Sequence, residues 1–338
     1  MATYRDAGVD LEAADRVVES ISSRVTATWG PDVVGGFGGF AAGIRLPAGY
    51  TQPVLMMSTD GVGTKADVAR RAGRLDGLGY DLVAMCVDDL AAAGATPIAL
   101  TDYLAVGRVD VAMVTSLVGS IASACAAAGV ALLGGETAEH PGVMEEGTFD
   151  LAAAALGVVE QGREVTGAAI EPGDRILGVA SPNLRSNGFS LVRASLLQKL
   201  GLEDELPGTG RSVAEILLEP SVIYAPAIVD LVANHEVHGL AHVTGGGLPG
   251  NVPRILPDSC DARIDAASWQ PPPVFDAIRT IGDVATDEML RTFNMGIGFV
   301  VVVPGGEVAG AVDLIQSHGH EVYEIGDIAA GNGTAVVL

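Results

Sequence analysis

Residues 54–65 have the sequence VLMMSTDGVGTK, in which an apolar run is followed by a carboxylate, two glycines, a hydroxyl and a lysine. The short apolar run, residues 54–58, predicts a buried strand, and the glycine after it marks the strand's end. Asp60 stands at that predicted end. In α/β sheets ligands are bound at strand ends, so we place a ligand site there.

The residue types in this stretch suit a metal-bound phosphate. Glycines at positions 61 and 63 allow backbone amides to approach phosphate oxygens, and Asp60 offers the hard oxygen ligand that Mg²⁺ prefers. Lys65 adds a point charge, and it is one of two lysines in 338 residues, the other being Lys199. The pattern is not a Walker A loop, which places a glycine directly before its lysine. A plain Asp-Gly turn with a solvated lysine is the open alternative.

Strands, helices and glycine-marked loops alternate along the first half of the chain. Residues 35–40 are too rich in glycine for a rigid element and predict a mobile loop. An otherwise apolar predicted helix contains Asp88 and Asp89, for which metal binding or exposure at the helix end are alternatives. Glu136 follows two glycines at a predicted strand end and is a third candidate carboxylate. The predicted helices cover residues 11–25, 80–93 and 111–128, and the predicted strands cover 54–58, 98–104, 130–133 and 149–160.

The second half shows the same mixture, which predicts two domains divided near residue 168. A chain of 338 residues exceeds the size at which a single core usually keeps growing. We therefore assign residues 1–168 and 169–338 to separate domains. The second is predicted to contain strands at 175–180, 240–243 and 298–303 and helices at 190–200 and 221–234.

Composition narrows the possible partners and the compartment. A net charge of −23 disfavours nucleic-acid binding, and it requires Mg²⁺ and aimed amides if an anionic ligand is to bind. Apolar runs such as residues 151–159 are shorter than the roughly 18–20 residues that cross a bilayer, and residues 1–10 do not read as a signal peptide. The three cysteines are few, odd in number and far apart, which predicts reduced core thiols in the cytoplasm.

Two loops of the second half carry candidate substrate ligands. Residues 186–188 place small polar groups before a predicted helix, where they serve either as a helix cap or as a phosphate site. The glycine loop at 245–247 formally matches a dinucleotide fingerprint, but the following prolines suit a helix poorly, and we reject that site. His242 leads into this loop, and taken alone it is better interpreted as a core histidine than as a catalytic group.

Eight ordered motifs give the chain a resemblance to the phosphoribosylformylglycinamidine cyclo-ligases, also called aminoimidazole ribonucleotide synthetases. The resemblance covers nearly the whole sequence. The motifs are YRDAGVD at 4–10, GGFGGF at 35–40, STDGVGTK at 58–65, DLVAMCV at 81–87, GGETAE at 134–139, SNGFSLVR at 186–193, AHVTGGG at 241–247 and RTFNMGIG at 291–298.

This resemblance implies an α+β fold with α/β layers: a cytoplasmic homodimer whose N-terminal sheets form a dimer-spanning barrel, with a C-terminal mixed sheet flanked by helices. ATP and Mg²⁺ are the implied cofactors, bound in the cleft between domains. The implied reaction closes the imidazole ring of formylglycinamidine ribonucleotide. ATP phosphorylates the formyl oxygen, and the amidine nitrogen then attacks that carbon and expels phosphate. Such chemistry needs positioning and charge stabilisation rather than a nucleophilic side chain.

The resemblance also implies roles for particular residues. Lys65, His242 and Asp60 are the implied catalytic residues, with Lys65 on the phosphates and His242 polarising the formyl group or shuttling a proton. The implied metal ligands are Asp60, Asp89 and Glu136. The implied nucleotide-binding residues are Gly36, Gly38, Gly39, Thr59, Gly61, Gly63, Thr64, Lys65 and Asp89. The implied substrate-binding residues are Arg185, Ser186, Asn187, Gly188, His242, Thr244, Gly245, Gly246 and Gly247.

The chain departs from the family pattern at several basic positions. Residues 26–32 lack the lysine and arginine usual before the first glycine loop, and Arg185 replaces the histidine usual before Ser-Asn-Gly. Two alternatives therefore stay open. One is another ATP-dependent enzyme of the same superfamily, similar to thiamine-monophosphate kinase or selenophosphate synthetase, and the other is a non-catalytic nucleotide-binding homologue.

Overall fold

The computed structural model describes residues 11–338, which divide into two units, each built on its own sheet. The first unit contains residues 11–90 and 96–161, and the second contains residues 91–95 and 162–338. The change of unit at residues 161–162 comes slightly before the predicted limit of 168. The predictions for residues 1–10 lie outside the described residues.

The first unit alternates helices and strands. Its elements are α1 (Leu11–Thr26), β1 (Val33–Val34), β2 (Gly43–Ile44), β3 (Pro53–Gly61), α2 (Lys65–Ala72), α3 (Leu78–Ala92), β4 (Thr96–Val106), α4 (Val111–Ala128), β5 (Ala131–Glu139) and β6 (Phe149–Glu160). Four of its strands form a mixed sheet in the order β3-β6-β4-β5. Only the pair β4 and β5 is parallel.

The two faces of this sheet differ in burial. Because neighbouring residues of a strand point to opposite faces, Asp60 and Met57 lie on different sides of β3. The side that carries Leu55, Met57 and Tyr103 is open, and these side chains are 53%, 74% and 43% exposed. The opposite side is largely buried. Its residues Asp60, Ala153, Asp102 and Gly135 pair in one row across the four strands.

The helix α4 follows the sequence signals closely. Asp110 caps its first turn by accepting hydrogen bonds from the amides of Ala112 and Met113, and Gly129 ends it with φ 69°. By length and composition alone, its 18 residues meet the criterion for a membrane span, although the apolar runs of the sequence were predicted to be too short. Half of that span is buried inside the protein, as is typical of a core helix.

The second unit contains a six-stranded sheet in the order β12-β9-β11-β7-β10-β8. The pair β12 and β9 is parallel and the others are antiparallel, which confirms the predicted mixed C-terminal sheet. Its elements are β7 (Arg175–Ala180), α5 (Phe189–Ala194), α6 (Val213–Leu217), α7 (Ala225–Asn234), β8 (Gly239–His242), α8 (Gly247–Asn251), β9 (Cys260–Ile264), α9 (Pro273–Thr280), α10 (Thr286–Thr292), β10 (Ile297–Val303), α11 (Val308–Ser317), β11 (Val322–Ala330) and β12 (Ala335–Val337), with short 3-10 turns at Leu196–Gln198, Val252–Ile255 and Ala266–Ser268.

Two helices of the second unit are shorter than predicted. The helix predicted at 190–200 ends at Ala194, and Ser195 leaves helical geometry with its hydroxyl donating to the carbonyl of Leu191. Such a hydroxyl competes with the backbone for that carbonyl. The helix predicted at 221–234 begins at Ala225, with Pro226 in its first turn, where the missing N–H costs nothing.

Two strands of the first unit are longer than predicted. The strand predicted at 54–58 extends to Gly61 and so includes Asp60. The strand predicted at 130–133 extends through both glycines and Glu136 to Glu139. The glycines at 134 and 135 therefore lie in the sheet, where they pair with Thr101 and Asp102.

Candidate functional site

The end of β3 and the end of α3 bring two carboxylates together. Ser58 donates a hydrogen bond from Oγ to Asp89 Oδ2 at 3.3 Å, which ties the strand to the helix. Asp60 is half-buried on the same side of β3, and its Oδ1 accepts from the Gly61 amide at 2.7 Å. Asp89 is exposed, whereas Asp88 is fully buried. Of the two aspartates, Asp89 is therefore the one that can reach a ligand.

The pKa of the buried Cys86 thiol is raised in part by the negative charges of this cluster. Burial raises its pKa to about 12, and the charge of Asp60 is the next cause. The charges of Asp89 and Asp88 raise it further. Three carboxylates from β3 and α3 thus concentrate negative potential at one point of the first unit. All three cysteines of the chain are free and buried, as predicted.

Two of these carboxylates fit a magnesium ion bound to phosphate. Mg²⁺ takes oxygen ligands in octahedral geometry, and it is usually held by one or two carboxylates together with substrate phosphates and water. Asp60 and Asp89 supply that number and type of donor. Within residues 11–338, no group of three His, Cys, Asp or Glu side chains is arranged to hold a metal without such help.

Glu136 does not join this pair, which corrects the predicted set of three metal ligands. It pairs with Tyr103 on β4. The row of paired residues that runs from Glu136 across the sheet reaches β3 at Gly61, one residue beyond Asp60. Its strand lies three strand spacings from β3, or about 14 Å, and its side chain belongs to the other face of the sheet. Instead, Glu136 lines a cavity beside the glycine loop.

Lys65 lies inside the protein rather than at a phosphate site. It is 1% exposed, and its Nζ lies 2.8 Å from both carboxylate oxygens of Asp81, which is fully buried. This corrects the expectation of direct contact with phosphate, because both partners of the ion pair are sealed from solvent. Lys65 is the first residue of α2 and Asp81 lies in α3, so the pair joins the two helices.

The other predicted residues of the 59–64 stretch shape the turn after β3. The hydroxyl of Thr59 donates to the carbonyl of Ala153 at 2.8 Å. The amide of Gly61 already serves Asp60, so it is not available to a phosphate in this arrangement. Gly63 has φ 62°, which favours glycine, and Thr64 precedes the first residue of α2.

The glycine loop at 36–39 encloses a cavity of about 620 Å³ in the first unit. Gly36, Gly38 and Gly39 line it together with Glu136 and Asp102. The predicted loop is thus confirmed as irregular structure and placed against the edge of the sheet. Sequence reasoning missed Asp102, although an acid inside an apolar predicted strand was an available signal.

In the second unit, Arg185 and His242 form a buried pair. The guanidinium Nη1 lies 2.6 Å from His242 Nε2, and Nη2 donates to the carbonyl of Val222 at 3.0 Å. The guanidinium carbon also lies 4.7 Å from the ring centre of Tyr224. Arg185 is fully buried and has φ 58°, a backbone conformation that costs energy in a residue other than glycine.

This pair defines the chemistry that His242 can perform. A guanidinium has donors and no acceptor, so Nε2 of His242 accepts and the ring proton lies on Nδ1. The imidazole is 5% exposed and stacks on Phe299 with ring centres 6.1 Å apart. In this arrangement Nε2 is occupied by Arg185. The role expected of His242, polarising the formyl group or shuttling a proton, stays a prediction.

The loops after Arg185 and His242 lie side by side. Asn187 Oδ1 is 3.7 Å from the position that a Cβ on Gly245 would occupy. The hydroxyl of Ser186 is buried and makes no hydrogen bond among residues 11–338. Gly246 and Gly247 have φ 103° and 58°, and a Cβ on Gly247 would lie 2.0 Å from the Leu290 carbonyl.

Asn251 holds this glycine loop in place and was missed from the sequence. Its Nδ2 donates to the carbonyls of Thr244, Gly245 and Gly247, and it is 3% exposed. An amide that bonds three successive parts of one loop fixes the loop's shape. Within the predicted substrate set of the second unit, the 186–188 and 244–247 loops therefore lie next to each other, whereas Arg185 and His242 are buried.

Comparisons with known proteins place both units in one family. Residues 40–159 match the family described as AIR synthase related protein, N-terminal domain, and residues 171–338 match the corresponding C-terminal domain. A phosphoribosylformylglycinamidine cyclo-ligase of Myxococcus xanthus is 46% identical over 99% of this chain and 98% of its own length. One of Sorangium cellulosum is 47% identical over 97% and 95%.

Solved structures share the fold at low sequence identity. Thiamine-monophosphate kinase of Stenotrophomonas maltophilia superposes with a TM-score of 0.71 at 22% identity, covering 94% of this chain and 95% of its own. The hydrogenase maturation protein HypE in complex with ATP has a TM-score of 0.69 at 20% identity, covering 94% and 90%. At such identities the likeness concerns the fold alone.

Proposed function

Because the chain belongs to the phosphoribosylformylglycinamidine cyclo-ligase family, its activity is ATP-dependent closure of an imidazole ring, and we propose that Asp60 and Asp89 hold the magnesium ion of the bound ATP. The enzyme converts formylglycinamidine ribonucleotide to aminoimidazole ribonucleotide and releases ADP and phosphate. This reaction is a step of purine biosynthesis. Identity of 46–47% over nearly the full length carries the assignment.

The magnesium proposal rests on the contact between β3 and α3. Ser58 orients the Asp89 carboxylate and the Gly61 amide orients that of Asp60, so both are fixed before a ligand arrives. A magnesium ion bound there would neutralise phosphate charge in a molecule of net charge −23. The ion pair between Lys65 and Asp81 stabilises this site indirectly, because it holds α2 against α3. Lys65 is therefore a positioning residue in this proposal.

The ribonucleotide is proposed to bind the second unit along the surface from Ser186 to Gly247. The unpartnered Ser186 hydroxyl and the side chain of Asn187 supply the polar contacts. Gly188 precedes α5 with φ 80°, and a Cβ there would lie 2.2 Å from the Phe293 ring, so glycine is required. Arg185 and His242 lie beneath this surface and orient it, since their own polar groups bond each other.

The assay that tests this function supplies purified protein with MgATP and formylglycinamidine ribonucleotide, and follows ADP release together with the aminoimidazole product. We expect both products in equal amounts. ADP release with thiamine monophosphate and none with the ribonucleotide would favour the kinase alternative. ATP binding without ADP release in either mixture would favour a non-catalytic homologue.

The open face of the first unit's sheet supports a homodimer. Leu55, Met57 and Tyr103 expose apolar surface on that face, and such contiguous patches usually mark interfaces. We propose that two copies bury these faces against each other, in a barrel that spans both. Met57→Glu places a charge in the proposed interface and is expected to give monomers by analytical ultracentrifugation. Val143→Glu, at an 82%-exposed residue off this sheet, is the matched control, and dimers of both variants would contradict the proposed face.

We also propose a cytoplasmic location and no nucleic-acid partner. Three free, buried cysteines suit a reducing compartment. The strongly negative net charge opposes contact with a phosphate backbone. Fractionation of cells that express a tagged chain tests the location, and recovery in the membrane or secreted fraction would contradict it.

A further inference from the structure

The cavity beside the glycine loop combines apolar walls with one deeply buried carboxyl group. Its volume of about 620 Å³ lies in the range of small-molecule sites. Val17, Ile21 and Val25 of α1 form one wall, and Leu132 and Leu133 of β5 contribute another. Asp102 of β4 lines the same cavity. A flat apolar ligand with a polar edge suits such a lining.

Asp102 is not explained by the fold. It is 8% exposed, and apart from its own backbone amide no donor among residues 11–338 contacts its carboxyl group. Burying a carboxyl group without partners is costly. The neighbouring strand accommodates it, because a Cβ on Gly135 would lie 2.3 Å from Asp102 Oδ1. The chain thus keeps both a costly acid and the glycine that makes room for it.

Burial also changes the protonation of this carboxyl group. Burial raises the pKa of Asp102 to about 7, and its own backbone amide opposes the shift. The titratable groups around it are Cys125 of α4, whose pKa is raised by burial and by Asp102, and Glu136 of β5, which lines the cavity. The part of α1 that lines the cavity is apolar. Near neutral pH the group therefore offers one O–H donor beside one carbonyl acceptor.

We propose that Asp102 recognises the amino-purine edge of adenine, with its O–H donating to the ring nitrogen N1 and its carbonyl accepting from the exocyclic amine. The inference rests on the proposed ATP site and adds the base-recognition residue to it. In the sheet, Asp102 and Asp60 lie in one row two strand spacings apart, about 10 Å, a separation that one nucleoside triphosphate covers.

The test is calorimetric titration with adenosine, which carries no titrating phosphate. Wild-type protein is expected to lose affinity for adenosine severalfold from about pH 6.5 to about pH 8.5, as the carboxyl group ionises. Asp102→Ala should bind adenosine at least about 10-fold more weakly. Asp102→Asn keeps one donor and one acceptor, so it should retain binding and lose the pH dependence. Asp150→Asn, at an exposed residue of β6, is the control.

Each outcome decides the inference. Unchanged adenosine affinity in Asp102→Ala, or a wild-type pH dependence in Asp102→Asn, would overturn it. If Asp102→Ala does not fold, Asp102→Asn alone decides. Wild-type protein that binds no adenosine also refutes it, and the ring-closure assay then shows whether the enzymatic function fails too. Turnover with normal ATP dependence in Asp102→Ala would refute base recognition while leaving the function intact.

Discussion

Among residues 11–338, each unit buries one lysine or arginine side chain, and the two are accommodated differently. Lys65 in the first unit meets both oxygens of the Asp81 carboxylate. Arg185 in the second unit contacts an imidazole nitrogen, a backbone carbonyl and the face of a tyrosine ring. An ammonium is a compact point charge that a single carboxylate matches, whereas a planar guanidinium spreads its donors over several partners. Replacing Lys65 and Asp81 together therefore removes both charges of that ion pair, whereas the contacts of Arg185 cannot be removed by replacing a single partner.

The largest expected effect is a loss of stability when the Lys65–Asp81 ion pair of the first unit is broken. Lys65→Ala removes the ammonium that lies 2.8 Å from both oxygens of the buried Asp81 carboxylate, and it is expected to lower the free energy of unfolding by about 3–5 kcal/mol, measured by urea denaturation. Removing both charges in Lys65→Met/Asp81→Leu should restore most of the loss. Lys199→Ala, at the exposed second lysine, is the control and should change stability by less than about 0.5 kcal/mol. A double variant as unstable as Lys65→Ala would contradict the pairing argument.

The next-largest effect is on turnover, and it concerns Asp60 and Asp89, the proposed magnesium ligands near the buried pair. Asp60→Asn is expected to lower kcat for ring closure about 100-fold, equivalent to roughly 3 kcal/mol, because an amide binds magnesium poorly. Asp89→Asn should behave similarly. Asp67→Asn, on the neighbouring α2, is the matched control, since its partners are the arginines 70 and 71. Normal turnover in both Asp60→Asn and Asp89→Asn would exclude them as magnesium ligands.

Arg185→Lys tests the other half of the comparison. The substitution keeps the charge but loses the fork that reaches His242 and Val222 together, so we expect a loss of about 1–3 kcal/mol in the free energy of unfolding. Arg193→Lys, at a residue of α5, is the control. Restoration by a second substitution at His242 would show that a simple pair, as in the first unit, describes this site after all.

Features fixed by neighbouring residues could be predicted from the sequence, whereas those fixed by distant partners could not. The limits of α4 follow from Asp110 and Gly129, which cap it locally. Eight ordered motifs identified the family because they span both units. The direction of Lys65 was not predictable, because its partner Asp81 lies 16 residues away on another helix. Glu136 was misplaced for a similar reason: Gly134 and Gly135 read as a loop, but pairing with β4 keeps them in a strand.

The smallest expected effects are on the pH dependence of stability, which should have opposite directions in the two units. Burial alone would lower the pKa of His238 in the second unit, but the hydrogen bonds that its imidazole makes to the carboxylates of Asp174 and Glu236 outweigh burial and raise it. A raised histidine pKa adds stability that is complete below the unfolded pKa of about 6.5 and is lost as pH rises through the folded pKa. His238→Asn should therefore cost about 1 kcal/mol near pH 6 and less near pH 9, measured by urea denaturation. Asp102→Asn should do the opposite in the first unit. Burial raises the folded pKa of Asp102 to about 7, above its unfolded value, so the substitution should stabilise the protein by an amount that grows as pH rises from about 4 and is complete above about pH 7. Equal costs of His238→Asn at both pH values would show that the His238–Asp174 contact at 2.8 Å is a neutral hydrogen bond rather than a charged pair.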